Sequence, residues 1–243
     1  MTMPNINSML SFSYIAYAVV VVLALGSRTC NCLQFTYTNF NTINRDDFSF
    51  SPGSTIADGA LQITPSTGTH APPTGADPDL KLPGVHSGRV VYARETLKLW
   101  NNKRAAPTSF WTNFLLNILP GQNGVGEGMS SVLTNNPSLP SNSSGQWLGI
   151  CNATTQYPLS NVSIILSSGS DVWVSIRYHD TSKSFQVFLV QHGIRGRYVY
   201  QGDVYIHLSQ LLQDKIYLVF AGSTGNFTQV NQIKSWNFTM IDE

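Results

Sequence analysis

The stretch Phe110–Ile118, Phe-Trp-Thr-Asn-Phe-Leu-Leu-Asn-Ile, decides how this chain folds. One set of alternate positions carries Phe110, Thr112, Phe114, Leu116 and Ile118, and the other set carries Trp111, Asn113, Leu115 and Asn117. Successive side chains of a β-strand point to opposite faces of the sheet, so a period of two residues predicts a half-buried strand.

The same alternation recurs along the rest of the chain. It involves Val172, Val174, Ile176 and Tyr178, then Phe185, Val187 and Leu189, then Ile216, Leu218 and Phe220, and finally Trp236, Phe238 and Met240. Leu61 and Ile63 mark a shorter strand after the turn Asp58-Gly59, and only Leu208–Gln213 favours a helical turn. The predicted fold class is all-β, an antiparallel sandwich or jelly roll.

Charge and composition exclude one class of partner. The 243 residues include 14 Lys and Arg and 13 Asp and Glu, so the formal net charge is +1, and only 11% of residues are charged. A nearly neutral surface has no electrostatic footprint for a polyanion. We therefore expect no nucleic-acid partner.

The N-terminal segment predicts export. No charged residue precedes Arg28, and Tyr14–Leu25 is an apolar run that ends at Gly26-Ser27, which is typical of a secretory signal peptide. We interpret residues 1–32 as the signal and 33–243 as one domain, secreted and without a stable membrane span after cleavage. The alternative is an uncleaved membrane anchor, because Met9–Gly26 is nearly long enough to span a bilayer.

Glycosylation motifs agree with export. Five N-x-[ST] sequons are present, at Asn142, Asn152, Asn161, Asn226 and Asn237. Asn237 alternates with the apolar Trp236 and Phe238, so strand parity places the sequon asparagine on the outer face. Cys151 is the single cysteine after Cys32, and we interpret it as a small buried residue.

Signatures of catalysis are missing from the sequence. It contains no HExxH, no GxSxG and no phosphate-binding glycine loop. Glycoside hydrolysis requires two facing carboxylates, and Glu95, Glu127 and Glu243 form no recognisable pair. We expect that the protein is not an enzyme.

Eight short segments carry a resemblance to a known family. In order they are Phe35–Phe40, Ala60–Thr64, Ser87–Tyr92, Thr108–Phe114, Gly126–Met129, Asn142–Gly149, Phe220–Gly225 and Ser235–Phe238. Together they resemble the plant L-type, or legume, lectin domain, of the kind found in the ectodomains of lectin receptor kinases. The resemblance covers Leu33–Asp242 and implies a jelly-roll sandwich that binds carbohydrate in a shallow site lined by loops. It is compatible with a homodimer, and the chain shows no kinase signature.

The resemblance also implies the binding residues. The family's acidic residue, which accepts hydrogen bonds from sugar hydroxyls, matches Glu127, and its backbone amide donor in a Gly-rich loop matches Gly145. The loop that tunes specificity matches Ser223–Gln229, with Ser223, Thr224 and Gly225 as its candidate contact residues. A glycan on Asn226 would lie beside this site.

One departure from the family lies between Asn152 and Asp171. Family members have a strand and loop there whose acidic residues and His bind calcium and a transition metal, whereas this chain has no Asp, Glu or His from Gly128 through Ser170. We predict that both metal sites are lost, that no cofactor is bound, and that the sandwich is incomplete by about two strands. Val162, Ile164 and Leu166 form a candidate replacement strand.

Two functions remain open at this point. The first is a secreted carbohydrate-binding protein whose partners are glycans and whose sugar affinity is weakened or altered. The alternative is an interaction module that uses the same scaffold for a hydrophobic ligand or a protein partner.

Overall fold

A computed structural model of the chain describes residues 33–65, 86–98, 108–121, 126–141, 166–191, 198–213, 215–224 and 229–242. Several predictions lie outside these ranges: the signal segment 1–32, Gly145, Gly225, the pair Val162 and Ile164, and the sequons at Asn142, Asn152, Asn161 and Asn226.

The described residues form twelve strands and two short helical turns. The strands are β1 (Gln34–Tyr37), β2 (Phe48–Phe50), β3 (Thr55–Ala57), β4 (Ala60–Gln62), β5 (Ser87–Tyr92), β6 (Thr108–Pro120), β7 (Gly128–Thr134), β8 (Val172–His179), β9 (Ser184–Gln191), β10 (Tyr198–Tyr205), β11 (Tyr217–Ser223) and β12 (Gln229–Asp242). A 3₁₀ helix spans Thr42–Asp47, and helix α1 spans Leu208–Leu211. Neither is long and apolar enough to cross a membrane, and the described ranges contain no helix that is.

The strands pair antiparallel in two sheets. The large sheet has eight strands in the order β10-β9-β8-β6-β12-β4-β3, with β1 also paired to β12, and the small sheet has four in the order β2-β5-β11-β7. The predicted all-β class and antiparallel sandwich are therefore confirmed. The two long strands β6 and β12 lie side by side, from Gln229 opposite Pro120 to Asp242 opposite Thr108.

Period-two alternation explains why β6 and β12 hold the core. Phe110, Phe114 and Leu116 are buried on one face of β6, as are Trp236 and Phe238 on β12. The apolar face was predicted correctly for both strands. Trp111 on the opposite face of β6 is 39% exposed.

Aromatic side chains fill the space between the sheets. Trp236 contacts Phe220 of the small sheet in an edge-to-face arrangement with ring centroids 4.7 Å apart. Phe35 stacks on Tyr92 at 4.3 Å. The Trp236 indole Nε1 donates to Thr112 Oγ1 at 2.8 Å, so its polar atom is satisfied inside the core.

One buried polar side chain departs from the predicted pattern. Asn117 lies on the outer face of β6 and is 2% exposed. Its Nδ2 donates to Gly169 O at 2.9 Å and to Asp171 Oδ1 at 2.6 Å. The turn before β8 therefore folds over this end of the outer face, which alternation alone does not reveal.

The two sheets are unequal in width. Within the described ranges, β7 has a strand partner only in β11. Ile176, Phe185 and Val187 on the core face of β8 and β9 are only half-buried, as are Met129 and Leu133 on β7. Apolar side chains at this margin of the core therefore keep part of their surface outside it.

Candidate functional site

Three chain segments converge at one end of the small sheet. In the antiparallel register Ser223 of β11 lies opposite Gly128 of β7 on one side and opposite Ser87 of β5 on the other. Glu127 immediately precedes Gly128, and Thr224 immediately follows Ser223. The structure therefore brings together Glu127, Ser223 and Thr224, which the sequence analysis assigned to one site.

Two glycines let these segments meet. Gly128 has φ of +112°, in a region that residues with side chains rarely adopt. Gly88 lies under the backbone of Ile63, where an added Cβ would stand 1.9 Å from the Ile63 carbonyl oxygen. Ile63, the residue after β4 of the large sheet, therefore contacts the small sheet directly beside the convergent segments.

Thr224 fastens β11 to the segment before β5. Its backbone N–H donates to His86 O at 2.9 Å, and its Oγ1 accepts from the His86 N–H at 3.0 Å. Thr224 is 1% exposed, and Ser223 is fully buried. These two side chains shape the site from beneath, so their direct contact with a sugar stays a prediction.

A buried amide network supports Gly128 from below. Asn231 is fully buried, and its Nδ2 donates to Thr64 Oγ1 at 3.1 Å and to Gly128 O at 3.4 Å. Gln229 Nε2 donates to Asn231 Oδ1 at 2.7 Å. Asn231 and His86 could not be recognised in the sequence, because nothing in the local pattern shows that distant strands bring them together.

Glu127 is the exposed acidic group of this arrangement. An ionised carboxylate only accepts hydrogen bonds, and a sugar hydroxyl is a suitable donor to it. Among the described residues other than the chain neighbours of Gly128, no heavy atom lies within 4 Å of the place where a side chain on Gly128 would begin. The arrangement offers one carboxylate acceptor on a rigid, hydrogen-bonded base.

The described residues around Glu127 do not make up a calcium ligand set. Calcium takes about six to eight oxygen ligands, and carboxylates are prominent among them. In the described part of the chain, no three His, Cys, Asp or Glu side chains are grouped to hold a metal ion. Asp171 is already engaged, because its Oδ1 accepts from Lys234 Nζ at 2.7 Å as well as from Asn117.

These features define a class of protein, the antiparallel β-sandwich, here with three strand ends that converge at one end of its small sheet. The legume lectin domain model matches residues 32–161 and 153–243, which together cover most of the chain. The chain therefore belongs to the legume lectin domain family, as the resemblance predicted. The two matched parts meet at residues 153–161, inside the region where the sequence departs from the family pattern.

Individual relatives agree with this assignment. A probable L-type lectin-domain containing receptor kinase S.5 of Arabidopsis thaliana is 28% identical over 85% of this chain, which spans 36% of that protein's length. A putative bark agglutinin of Robinia pseudoacacia is 23% identical, with 93% of this chain and 88% of the agglutinin covered. The solved Lotus tetragonolobus seed lectin superposes with a TM-score of 0.69 at 21% identity, covering 87% and 99% of the two chains.

The family assignment also bears on catalysis. Legume lectins are carbohydrate-binding proteins without enzymatic activity, and the fold found here is theirs.

Proposed function

We propose that this chain is a secreted carbohydrate-binding lectin whose sugar site is built around Glu127. The observation that carries the proposal is the position of Glu127, exposed at the end of the small sheet where β5, β7 and β11 converge on buried Ser223 and Thr224. The carboxylate accepts hydrogen bonds from vicinal hydroxyls of a saccharide. Gly145 and the loop from Gly225 are proposed to complete the contacts.

Binding is proposed to proceed without calcium or a transition metal. Support comes from the absence of acidic residues and histidine between Gly128 and Ser170. In a site without metal ions, any ordering of the groups that contact the ligand takes place on binding, and its entropic cost lowers affinity. We therefore infer sugar binding that is weaker than in metal-loaded relatives.

A glycan array with purified secreted protein tests both parts of the proposal. We expect binding that a chelator leaves unchanged and that Glu127→Ala abolishes, because alanine has no acceptor. Glu95→Ala is the matched control, because Glu95 is also exposed but lies away from the site. Loss of binding on chelation would contradict metal independence, and equal binding by Glu127→Ala would exclude the assigned acceptor.

The alternative function is an interaction module for an apolar ligand. The observation favouring it is the margin of the core at Ile176, Phe185 and Val187, whose side chains are only half-buried. An apolar fluorescent probe would then bind with micromolar affinity while the glycan array stays silent. Phe185→Ser would reduce binding of the probe, whereas Glu127→Ala would leave it unchanged.

A further inference from the structure

A row of side chains crosses the outer face of the large sheet, starting at the Asn237 sequon. Asn237 of β12 lies opposite Asn113 of β6, Asn113 opposite Ser175 of β8, and Ser175 opposite Phe188 of β9. All four belong to the same face, because directly opposed residues share a face of a sheet. Small polar side chains at Asn113 and Ser175 form the floor of this row.

Aromatic side chains stand on both sides of the row. Trp111 and Arg177 oppose each other in the neighbouring row on one side, and Trp173 and Val190 do so on the other. Between Arg177 on one side and Trp173 and Val190 on the other lies an open depression of about 160 Å³, whose lining also includes Asn113, Val174, Ser175 and Phe188. We name this feature the outer trough.

Two tryptophans beside the row keep a large part of their surface exposed. Trp111 is 39% exposed and Trp173 is 41% exposed. Arg177 holds the walls in place, since its guanidinium carbon lies 5.0 Å from the Trp111 ring and 5.1 Å from the Phe188 ring. A grouped apolar surface with a few fixed polar atoms is the usual character of a binding site.

The chemistry of the trough suits a saccharide. A pyranose ring has an apolar C–H face that packs against an aromatic ring, and its hydroxyl and acetamido groups bond to amides and hydroxyls. The two tryptophans supply the rings, and Asn113 and Ser175 supply the polar partners. The chain carries its own saccharide acceptor at the end of this trough.

The Asn237 side chain is presented for attachment. Asn113 Nδ2 donates to Asn237 Oδ1 at 2.9 Å, so this bond occupies the amide oxygen of Asn237 and not Nδ2, the atom that bears an N-linked glycan. Neighbouring strands lie about 4.8 Å apart, so Ser175 is about 10 Å from Asn237 along the row. The first two sugars of an N-glycan reach that far.

We propose that an N-glycan on Asn237 lies in the outer trough, with its first sugars over Asn113 and Ser175 and between Trp111 and Trp173. The glycan then covers the exposed indoles and stabilises the strands beneath. This inference shares with the proposed function the need for passage through the secretory pathway. It does not depend on sugar binding at Glu127.

Occupancy is measured first, on full-length protein secreted from a eukaryotic host. Peptide mass spectrometry is expected to show a glycan on Asn237 in the wild type and in Thr239→Ser, which preserves the sequon, and none in Thr239→Ala. The other four sequons report export independently. Glycans at those sites with an unoccupied Asn237 would overturn the inference while leaving the secreted-lectin proposal standing.

Packing is measured next, by native digestion with a peptide N-glycosidase. The Asn237 glycan should be released about tenfold more slowly than after Trp173→Ala or Trp111→Ala, a ratio equivalent to about 1.4 kcal/mol of protection. Trp173→Phe, which keeps a ring, should retain most of the protection. Equal release rates in all variants would refute the packing. Dimerisation of the glycosylated protein that Trp173→Ala abolishes would also refute it, because a second copy would then occupy the trough.

Discussion

Replacing Gly88 with alanine tests how closely the two sheets approach beside the candidate site. Gly88 lies opposite Gly222 in the small sheet, and Ile63 crosses over this pair from the end of β4. A Cβ on Gly88 would stand 1.9 Å from Ile63 O and 2.7 Å from Ser54 Oγ. The nearer obstacle is backbone, which cannot rotate away as a side chain does.

The loss of stability in Gly88→Ala depends on how far the backbones of Gly88 and Ile63 must separate. Relieving the clash requires a separation of at least about 1 Å between the Gly88 and Ile63 backbones. Ile63 is held by two hydrogen bonds, from its N–H to Asn231 O at 2.9 Å and from Ser54 Oγ to its carbonyl oxygen at 2.7 Å. Each contributes about 1 kcal/mol, and overpacking adds about 1–3 kcal/mol. We expect Gly88→Ala to lower the free energy of unfolding by about 3–5 kcal/mol, a large part of a typical stability of about 5–15 kcal/mol.

Urea denaturation followed by tryptophan fluorescence measures this loss. Gly222→Ala is the matched control, because its Cβ would meet the nearest atom at 3.2 Å, where small adjustments suffice. We expect the control to cost less than about 1.5 kcal/mol. Equal midpoints for Gly88→Ala and the wild type would refute the inferred contact between the sheets.

Three further predictions follow from contacts described for the core and its edges. Burial raises the pKa of Tyr37, and its hydrogen bond to Asp47 at 2.7 Å raises it further. The stability that the protonated phenol contributes is therefore complete below about pH 10 and is lost at higher pH. Tyr37→Phe should reduce this loss of stability at alkaline pH, as measured in thermal melts. Trp236→Phe leaves Thr112 without its indole donor and opens a gap beside Phe220, so it should lower the free energy of unfolding in urea by about 2 kcal/mol. The control, Trp173→Phe at the surface, should lower it by less than about 0.5 kcal/mol. Lys234→Met removes a half-exposed ion pair and should lower the free energy of unfolding by less than about 1 kcal/mol. Asp171→Ala also deprives buried Asn117 of an acceptor, so it should cost about 1–3 kcal/mol. Equal losses of stability in the two variants would show that the Asn117 contact is unimportant.

Alternation predicted the strands that pack on one face and are polar on the other. It predicted β6, β8, β9 and β12 and their core faces, because each of these strands has one face against the core and the other towards solvent. It did not find β7 or β10. In β7 the serines Ser130 and Ser131 interrupt the pattern, and no residue is fully buried on either face. In β10 the register shifts between Tyr200 and Asp203, which breaks the period of two.

The candidate site was only partly predictable. The family resemblance placed Glu127 and Thr224 together although about a hundred residues separate them, and the register of β7, β5 and β11 accounts for their proximity. The burial of Ser223 and Thr224 could not be predicted, because it depends on His86 and Asn231 approaching from other parts of the chain. Polar side chains that act through tertiary hydrogen bonds leave no periodic signal in the sequence.

The pairing of β1 with β12 determines where a fused tag or module can be attached to the domain. Met240 N donates to Leu33 O, so the first and last described strands leave the sandwich side by side. Asn231, which lies beneath Gly128 and therefore next to Glu127, precedes Met240 by nine residues. In an extended strand nine residues span a length of about 30 Å. A tag or module joined directly before Leu33 or after Asp242 would therefore be attached about 30 Å along the sheet from the residues beneath Glu127. Protein immobilised through such a tag should bind a ligand from solution at the Glu127 end without obstruction by the support.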